Sequence, residues 1–353
     1  MNLDDLTHFQ QLDTQNMLAE IDGLPEQLET AWQLGQTMPL PDLPGITRVL
    51  IAGMGGSAIG ADLLAAYAAP LSPVPIVVHR DYGLPAWAQG PQTLVIASSH
   101  SGNTEETLSA FRQARENGCT CLAITTGGQL AAAAQESEAA LWTFEHAGQP
   151  RAAVGYSFGL LLAAFSRLGL LPNPSEELAG AVTTMRRQQA QLQAEVPAVQ
   201  NPAKRQAGQL IGRWVSVFAA EFLAPVARRW KGQISEIAKA WGQFEFLPEA
   251  DHNTLAGVVN PENVLSSTIT IFLMAPAYHP RNTLRSELTR KAFMLEGIST
   301  DFFIAQGDSR LAQQWSMLHL GDYIAYYLAM AYGVDPTPVE AIEQFKLELK
   351  AAG

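Results

Sequence analysis

The feature that most constrains this chain is a pattern that occurs twice: short apolar runs, each followed by a turn and a helical stretch. In the first half the runs are Thr47-Arg-Val-Leu-Ile-Ala, Val74-Pro-Ile-Val-Val-His, Thr93-Leu-Val-Ile-Ala-Ser, Thr120-Cys-Leu-Ala-Ile-Thr and Ala140-Leu-Trp-Thr-Phe. Helical patterns to about Ala69 and from Thr104 to Asn117 separate them. Apolar runs of strand length alternating with helices make βαβ units around a parallel sheet. The alternation restarts at Arg213-Trp-Val-Ser-Val-Phe-Ala. It continues through Gln243-Phe-Glu-Phe, Thr268-Ile-Thr-Ile-Phe-Leu-Met and Thr300-Asp-Phe-Phe-Ile, with a helical stretch from Ala224 to Ala240. The expected fold class is therefore α/β, with two parallel sheets, each flanked by helices. No short-period repeat is visible.

The remaining segments read as helices. Residues 11 to 36 are helical and end in a Pro-rich bend, Met38-Pro-Leu-Pro-Asp-Leu-Pro. A block from Ala152 to Leu210 is broken by Pro172, Pro174 and Pro197, and its Gln-rich middle, Met185 to Val196, reads as a long solvated helix between domains. Two helices, roughly Leu311 to Tyr332 and Pro338 to Lys350, close the chain. The expected division is an N-terminal helical segment (1–40), a first domain with its connecting helices (41–200), and a second domain with the C-terminal helices (201–353).

Composition narrows the function. The 353 residues carry 22 Lys+Arg against 34 Asp+Glu, a net charge of −12, which argues against nucleic acid as a partner. A hydrophobic fraction of 47% excludes a disordered chain. A small anion remains open as a ligand, because a few local donors outweigh a global field. Cys119 and Cys121 are too close for a disulfide framework and lack zinc-site partners; they read as strand residues on one face of a sheet. The N-terminus carries acids where a signal peptide needs a basic patch and an apolar stretch. The apolar runs Ala152–Phe165 and Val264–Pro280 are too short or too broken to span a membrane. A cytoplasmic protein without a membrane partner is expected.

Two loops carry the chemistry. Leu50-Ile-Ala-Gly53-Met-Gly55-Gly56-Ser57-Ala58 runs from a strand into a helix, where backbone N–H groups approach an anion. Gly53-Met-Gly55 also begins like a dinucleotide fingerprint, which keeps an NAD-dependent oxidoreductase open. The acid expected about 20 residues further on is missing. Ser98-Ser99-His100-Ser101-Gly102-Asn103-Thr104-Glu105-Glu106 follows the third strand. Hydroxyls at one helix start make an uncharged phosphate cradle. Asn103 and Glu106 resemble a capping box, which accounts for part of this run only. Glu105 and Glu106 must face away from a bound phosphate.

The pairing of Gly-Met-Gly-Gly-Ser with Ser-x-Ser-Gly-Asn-Thr-Glu-Glu-Thr resembles a sugar isomerase (SIS) domain, a Rossmann-like, flavodoxin-like fold that binds no dinucleotide. The resemblance implies that Gly55, Gly56, Ser57, Ser99, Ser101 and Thr104 hold a phosphate. Three further segments extend it: Arg151-Ala-Ala-Val-Gly-Tyr-Ser; Ser235-Glu236-Ile-Ala-Lys239 in a helical stretch, with Asp251-His252-Asn253 after it; and Asp335-Pro-Thr337-Pro-Val-Glu-Ala-Ile, then Lys346. Their order and spacing are similar to the bifunctional phosphoglucose/phosphomannose isomerases over nearly the whole chain.

That family implies an isomerase working without metal or cofactor on a sugar phosphate. It interconverts fructose 6-phosphate with glucose 6-phosphate and mannose 6-phosphate through an enediol(ate). One carboxylate can carry a proton between C1 and C2, and the resemblance assigns this to Glu236. It assigns ring opening to His252, contributed across a homodimer interface, with Lys346 helping. Arg151 suits the developing negative charge. Mannose tolerance needs room beside C2 and C3, where Thr337 and its neighbours are candidates. The apolar closing helices also suggest a dimer. Three segments depart from the family pattern. Ser235 and Ile237 replace the asparagines of Asn-Glu-Asn-Ala-Lys. Thr254 replaces the acid of His-Asn-Glu. Val217-Phe-Ala-Ala-Glu-Phe replaces a glycine-rich opening loop. These changes motivate an alternative, a sugar-phosphate-binding protein with lost or altered turnover.

Overall fold

The computed structural model describes residues 2–41, 43 and 45–352; positions 42 and 44 of the Pro-rich bend lie outside them. The chain opens with α1 (Leu6–Leu12), α2 (Met17–Asp22) and α3 (Leu24–Thr37). The first half follows as β1 (Arg48–Ala52), α4 (Gly55–Ala68), β2 (Ile76–His79), β3 (Thr93–Ser99), α5 (Glu105–Glu116), β4 (Thr120–Thr125), α6 (Gly128–Glu136) and β5 (Ala140–Thr143). Helices α7 (Val154–Arg167), α8 (Ser175–Gln189) and α9 (Pro202–Leu210) connect it to the second half. That half contains β6 (Trp214–Ala220), α10 (Ala224–Glu236), β7 (Gly242–Leu247), α11 (Glu262–Leu265), β8 (Thr268–Met274), α12 (Pro280–Leu295) and β9 (Ser299–Ile304). Helices α13 (Arg310–Tyr332) and α14 (Glu340–Ala352) complete it.

Every pairing in both sheets is parallel. The first sheet has the order β2-β1-β3-β4-β5 and the second β7-β6-β8-β9. All seven residues of β3 are buried, which explains its unbroken apolar run: helices cover both faces. In each sheet the strand order reverses next to the first strand. The loops leaving β1 and β3 therefore lie side by side at the carboxyl edge, as do those leaving β6 and β8. Such a reversal opens a crevice for a ligand. Cys119 and Cys121 are free and buried in the small core on one face of the first sheet, with Leu50, Val95 and Phe111.

The larger core runs through both halves, and α13 is its axis. This helix is buried from Leu311 to Met330. Tyr323 donates to Asp22 of α2, His319 Nε2 donates to the Ile21 carbonyl at 2.8 Å, and Tyr327 donates to the Leu192 carbonyl at 2.5 Å. Gln314 reaches the carbonyls of Leu63 in the first half and Phe222 in the second. The apolar Tyr323–Met330 stretch thus packs inside the chain, and α14 alone of the two closing helices keeps an apolar stripe exposed, at Ile342, Phe345 and Leu349.

Two expectations need correction, and one helix was not expected. The Gln-rich segment is not a long solvated helix. Helix α8 ends at Gln189, turns follow, and Met185, Gln188 and Leu192 are buried. Its polar side chains mislead because they satisfy backbone groups, as Gln189 does at the Asp22 carbonyl. The helix carrying Glu236 stops at that residue rather than at Ala240, and Lys239 sits in the left-handed region at φ 54°. Helix α12 has no clear sequence signal, because Leu284, Leu288 and Leu295 on it are exposed. Among the described residues no helix is long and apolar enough to cross a membrane.

Candidate active site

Three loops of the first sheet interlock to shape the candidate phosphate site. Gly55 opens α4 at φ 50°, and neither α4 nor α5 has a side-chain cap at its N-terminus. The first N–H groups of both helices are therefore free for an anion. Gly56 lies against the turn before α7: a Cβ there would stand 2.4 Å from the Pro150 carbonyl oxygen. Gly102, at φ 65°, is tighter still, with a Cβ falling 1.9 Å from the Gly127 carbonyl oxygen.

The hydroxyls assemble between these loops. Ser57 is buried and its Oγ accepts from the His100 N–H at 3.2 Å. Ser99 and Thr104 share a hydrogen bond at 3.0 Å, and Ser99 Oγ accepts from Gly102 N–H. Ser101 is exposed, and its Oγ accepts from the Asn103 N–H. The capping box does not form. Thr104 is the N-cap residue of α5, while Asn103 bonds the Ser101 carbonyl and accepts from Gln129 N–H at the start of α6. Glu105 turns aside to Tyr82, which donates to it at 3.1 Å.

Arg151, Glu236 and Lys239 meet where the two halves touch. Arg151 lies in a 3-10 turn, Pro150–Ala152, with its side chain only 4% exposed. Its Nη1 stands 3.9 Å from Glu236 Oε2, and its Nη2 donates to the Pro336 and Thr337 carbonyls at 2.9 and 2.5 Å. Lys239 donates to the Glu236 and Pro336 carbonyls at 2.6 and 3.3 Å. Although Lys239 is exposed as a residue, its ammonium sits among these carbonyls. Partial burial, then Arg151, push its pKa down to about 8. Burial also lowers that of Arg151, against the opposing pull of Glu236.

A buried residue pair positions this cluster without any sequence signal of its own. Arg229 forms a two-pronged ion pair with Asp322 of α13, at 2.6 and 3.1 Å, and donates to the Arg151 carbonyl at 3.0 Å. Two buried polar atoms at the Arg151–Thr337 contact, Arg151 Nε and Thr337 Oγ1, have no partner among the described residues. Such atoms ask for a polar ligand or water.

Two sequence-expected residues, His252 and Lys346, make no hydrogen bond or ion pair with Glu236 among the described residues. His252 is exposed at the end of a 3-10 turn, Glu249–His252. Its neighbour Asp251 ties that turn to α12 through Arg285 and Thr289, at 2.8 and 2.6 Å. Lys346 is exposed on α14. The first turn of α14 reaches the cluster, since Glu340 acts on Lys239 and Glu343 on Arg151. Among the described residues no three His, Cys, Asp or Glu side chains form a group suited to a metal ion.

Comparison with known proteins places the chain in a family. Residues 45–168 match the SIS domain family, and residues 199–349 match the bacterial phospho-glucose isomerase C-terminal SIS domain. A bifunctional phosphoglucose/phosphomannose isomerase of Caldicellulosiruptor bescii is 37% identical over 94% of this chain and 98% of its own length. One of Aquifex aeolicus is 33% identical over 88% of this chain and 92% of its own. The crystal structure of tagatose-6-phosphate ketose/aldose isomerase from Escherichia coli superposes with a TM-score of 0.70 at 16% identity, covering 90% of this chain and 93% of that one; at that identity the likeness speaks for the fold alone. This chain belongs to the bifunctional phosphoglucose/phosphomannose isomerase family.

Proposed function

We propose that this chain interconverts fructose 6-phosphate with glucose 6-phosphate and mannose 6-phosphate, without metal, through an enediol(ate). The observation that carries this reading is the Arg151–Glu236 pair. Arg151 belongs to the turn packed on Gly56 of the phosphate loop, and its guanidinium reaches the second half's carboxylate. The phosphate rests on the uncapped starts of α4 and α5 and on Ser57, Ser99, Ser101 and Thr104. Glu236 takes the proton from one carbon and returns it to the other. Arg151 and Lys239 face the enediolate oxygen as it gains charge. The unpartnered hydroxyl of Thr337 bonds a sugar hydroxyl near C2 and C3. The folds of residues 41–200 and 201–353 supply one function each, phosphate binding and proton transfer, with 1–40 packed on both.

The same reading makes the protein a cytoplasmic homodimer in which His252 acts in its partner's site and Lys346 assists. Exposed apolar residues of α12 and β9, with the stripe on α14, support an interface. Asp251 fixes the His252 turn to that same α12. The two free, buried cysteines suit a reducing compartment.

Mixing two inactive variants tests the arrangement. Glu236→Gln and His252→Ala are each expected to lose turnover. Subunits exchanged between them are expected to regain about a quarter of the wild-type rate, because half of the mixed dimers' sites are intact. No recovery from subunits that demonstrably exchange contradicts His252 acting in trans. Full activity of Glu236→Gln contradicts the base assignment.

A further inference from the structure

A second chain of titratable groups abuts the serine loop, and the mechanism above does not use it. His100 lies between Ser99 and Ser101. Its N–H holds Ser57, and its carbonyl accepts from the Thr126 N–H at 3.1 Å and hydroxyl at 2.7 Å. Its ring turns the other way. His100 Nε2 is 3.0 Å from His146 Nδ1, and His146 Nε2 is 3.2 Å from Glu20 Oε2. The side chain of His146 is only 8% exposed. Aromatic rings fix the stack: Phe144 packs on Tyr156 and on His100, and Tyr156 on His146. The segment after β5, the serine loop and α2 of the N-terminal segment are thereby joined.

Hydrogen-bond inventory sets the protons. An ionised Glu20 only accepts, so His146 carries its proton on Nε2 and offers a lone pair at Nδ1. His100 must then donate from Nε2, which leaves its Nδ1 as a bare acceptor. That nitrogen has no partner among the described residues. Burial first, then His146, hold the His100 pKa down to about 4, against Glu20. The hydrogen bond from His146 in turn holds Glu20 below the usual carboxylate range. The titratable groups facing His100 are His146 from the segment after β5 and Glu20 from α2. Helix α7 adds Tyr156 against His146, and the Ser57 and Thr125–Thr126 loops bring hydroxyls. Among the described residues no Lys or Arg bonds Ser57, Ser99, Ser101 or Thr104.

We propose that Glu20, His146 and His100 are positioning residues for the serine loop, and that a sugar-phosphate dianion is bound there together with a proton on His100. The proposal rests on the loop being the phosphate site. The proton comes from solvent and forms an N–H bond at Nδ1; the Nε2–H bond to His146 is kept. Glu20 stays ionised as the counter-charge two hydrogen bonds away. The positive charge is thus held behind the loop backbone, on the residue between Ser99 and Ser101, and only while the phosphate is present.

The test is a titration of the full chain, with its histidine side chains labelled with nitrogen-15, by sorbitol 6-phosphate. This ligand carries the phosphate but no carbonyl to isomerise. At about pH 7.5 its phosphate is a dianion, above a second pKa of about 6. The His100 ring signals are expected to pass from the neutral tautomer to imidazolium at saturation. Glu20→Gln is expected to abolish that change and weaken binding about tenfold. His100 staying neutral while the Ser99–Gly102 amides shift overturns the relay and leaves the phosphate site standing. Amides that do not shift at all overturn the relay and the phosphate site together. Unaltered proton uptake in Glu20→Gln overturns the part given to Glu20.

Discussion

The two halves have the same strand order at their switch points, β2-β1-β3-β4 and β7-β6-β8-β9, yet their equivalent loops are built oppositely. After β1 come Gly53, Met54 and Gly55, and the helix starts are left uncapped. Strand β6 ends in Ala220, and Glu221 and Phe222 follow it. Phe222 is buried, and Tyr278 from the loop after β8 donates to the Leu273 carbonyl and accepts from Ala220 N–H. Glu221, at φ 46° where glycine is the usual residue, accepts from His279 N–H at 2.8 Å and Asn282 Nδ2 at 2.7 Å, at the start of α12. The second half thus meets its anion-seeking helix start with its own carboxylate, where the first half leaves room for a ligand's phosphate. The departure from a glycine-rich loop is therefore a filled site. In the proposed reading one half binds and the other supplies the base, so substitutions in the two should fail differently.

The largest expected effect is that of Glu236→Gln: kcat falls about a thousandfold while sorbitol 6-phosphate binding and the circular dichroism spectrum hold. Weakened binding with kcat preserved would move the base elsewhere. Next is Gly102→Ala in the binding half. The left-handed backbone and the Gly127 carbonyl force the serine loop to shift. Strain of this kind is expected to raise KM between about tenfold and a hundredfold at near-constant kcat. An unchanged KM would separate this loop from the phosphate.

Glu221→Ala should give the complementary result. Removing the acceptor of the His279 N–H and the Asn282 amide is expected to cost about 0.5–1.5 kcal/mol in chemical denaturation, with KM unchanged. A tenfold rise in KM would show that the second half also takes part in phosphate binding. The smallest effect is a pH dependence. His100 has a folded pKa of about 4, below the ordinary 6.5, so the unfolded chain binds more protons between those values. Stability is then full above about pH 6.5 and falls towards pH 4. His100→Gln should flatten that part of a thermal-melting pH profile. A profile unchanged by the substitution would remove His100 as its source.

The sheets were legible in the sequence because strands covered on both faces are apolar throughout, as β1 and β3 are. The candidate phosphate loops were legible because glycines and hydroxyls cluster locally at helix starts. What remained hidden depends on residues distant in sequence. The Arg229–Asp322 pair behind Arg151 and the Glu20–His146–His100 chain have no local pattern. Helix α12 was hidden because its leucines lie on the surface, and the Gln-rich segment misled because its amides serve backbone carbonyls. Arg151 and Glu236 were singled out by resemblance; their approach across the junction of the halves is a fact of packing.

The central claim is that Glu236 moves a proton between C1 and C2 of a phosphosugar held by the first half. Fructose 6-phosphate incubated with chelator-treated protein in deuterated water, followed by proton NMR, tests it most directly. The account predicts glucose 6-phosphate and mannose 6-phosphate carrying deuterium at C2, and deuterium exchange at C1 of the remaining fructose 6-phosphate, all abolished in Glu236→Gln. No product and no exchange at C1 from folded protein would contradict it.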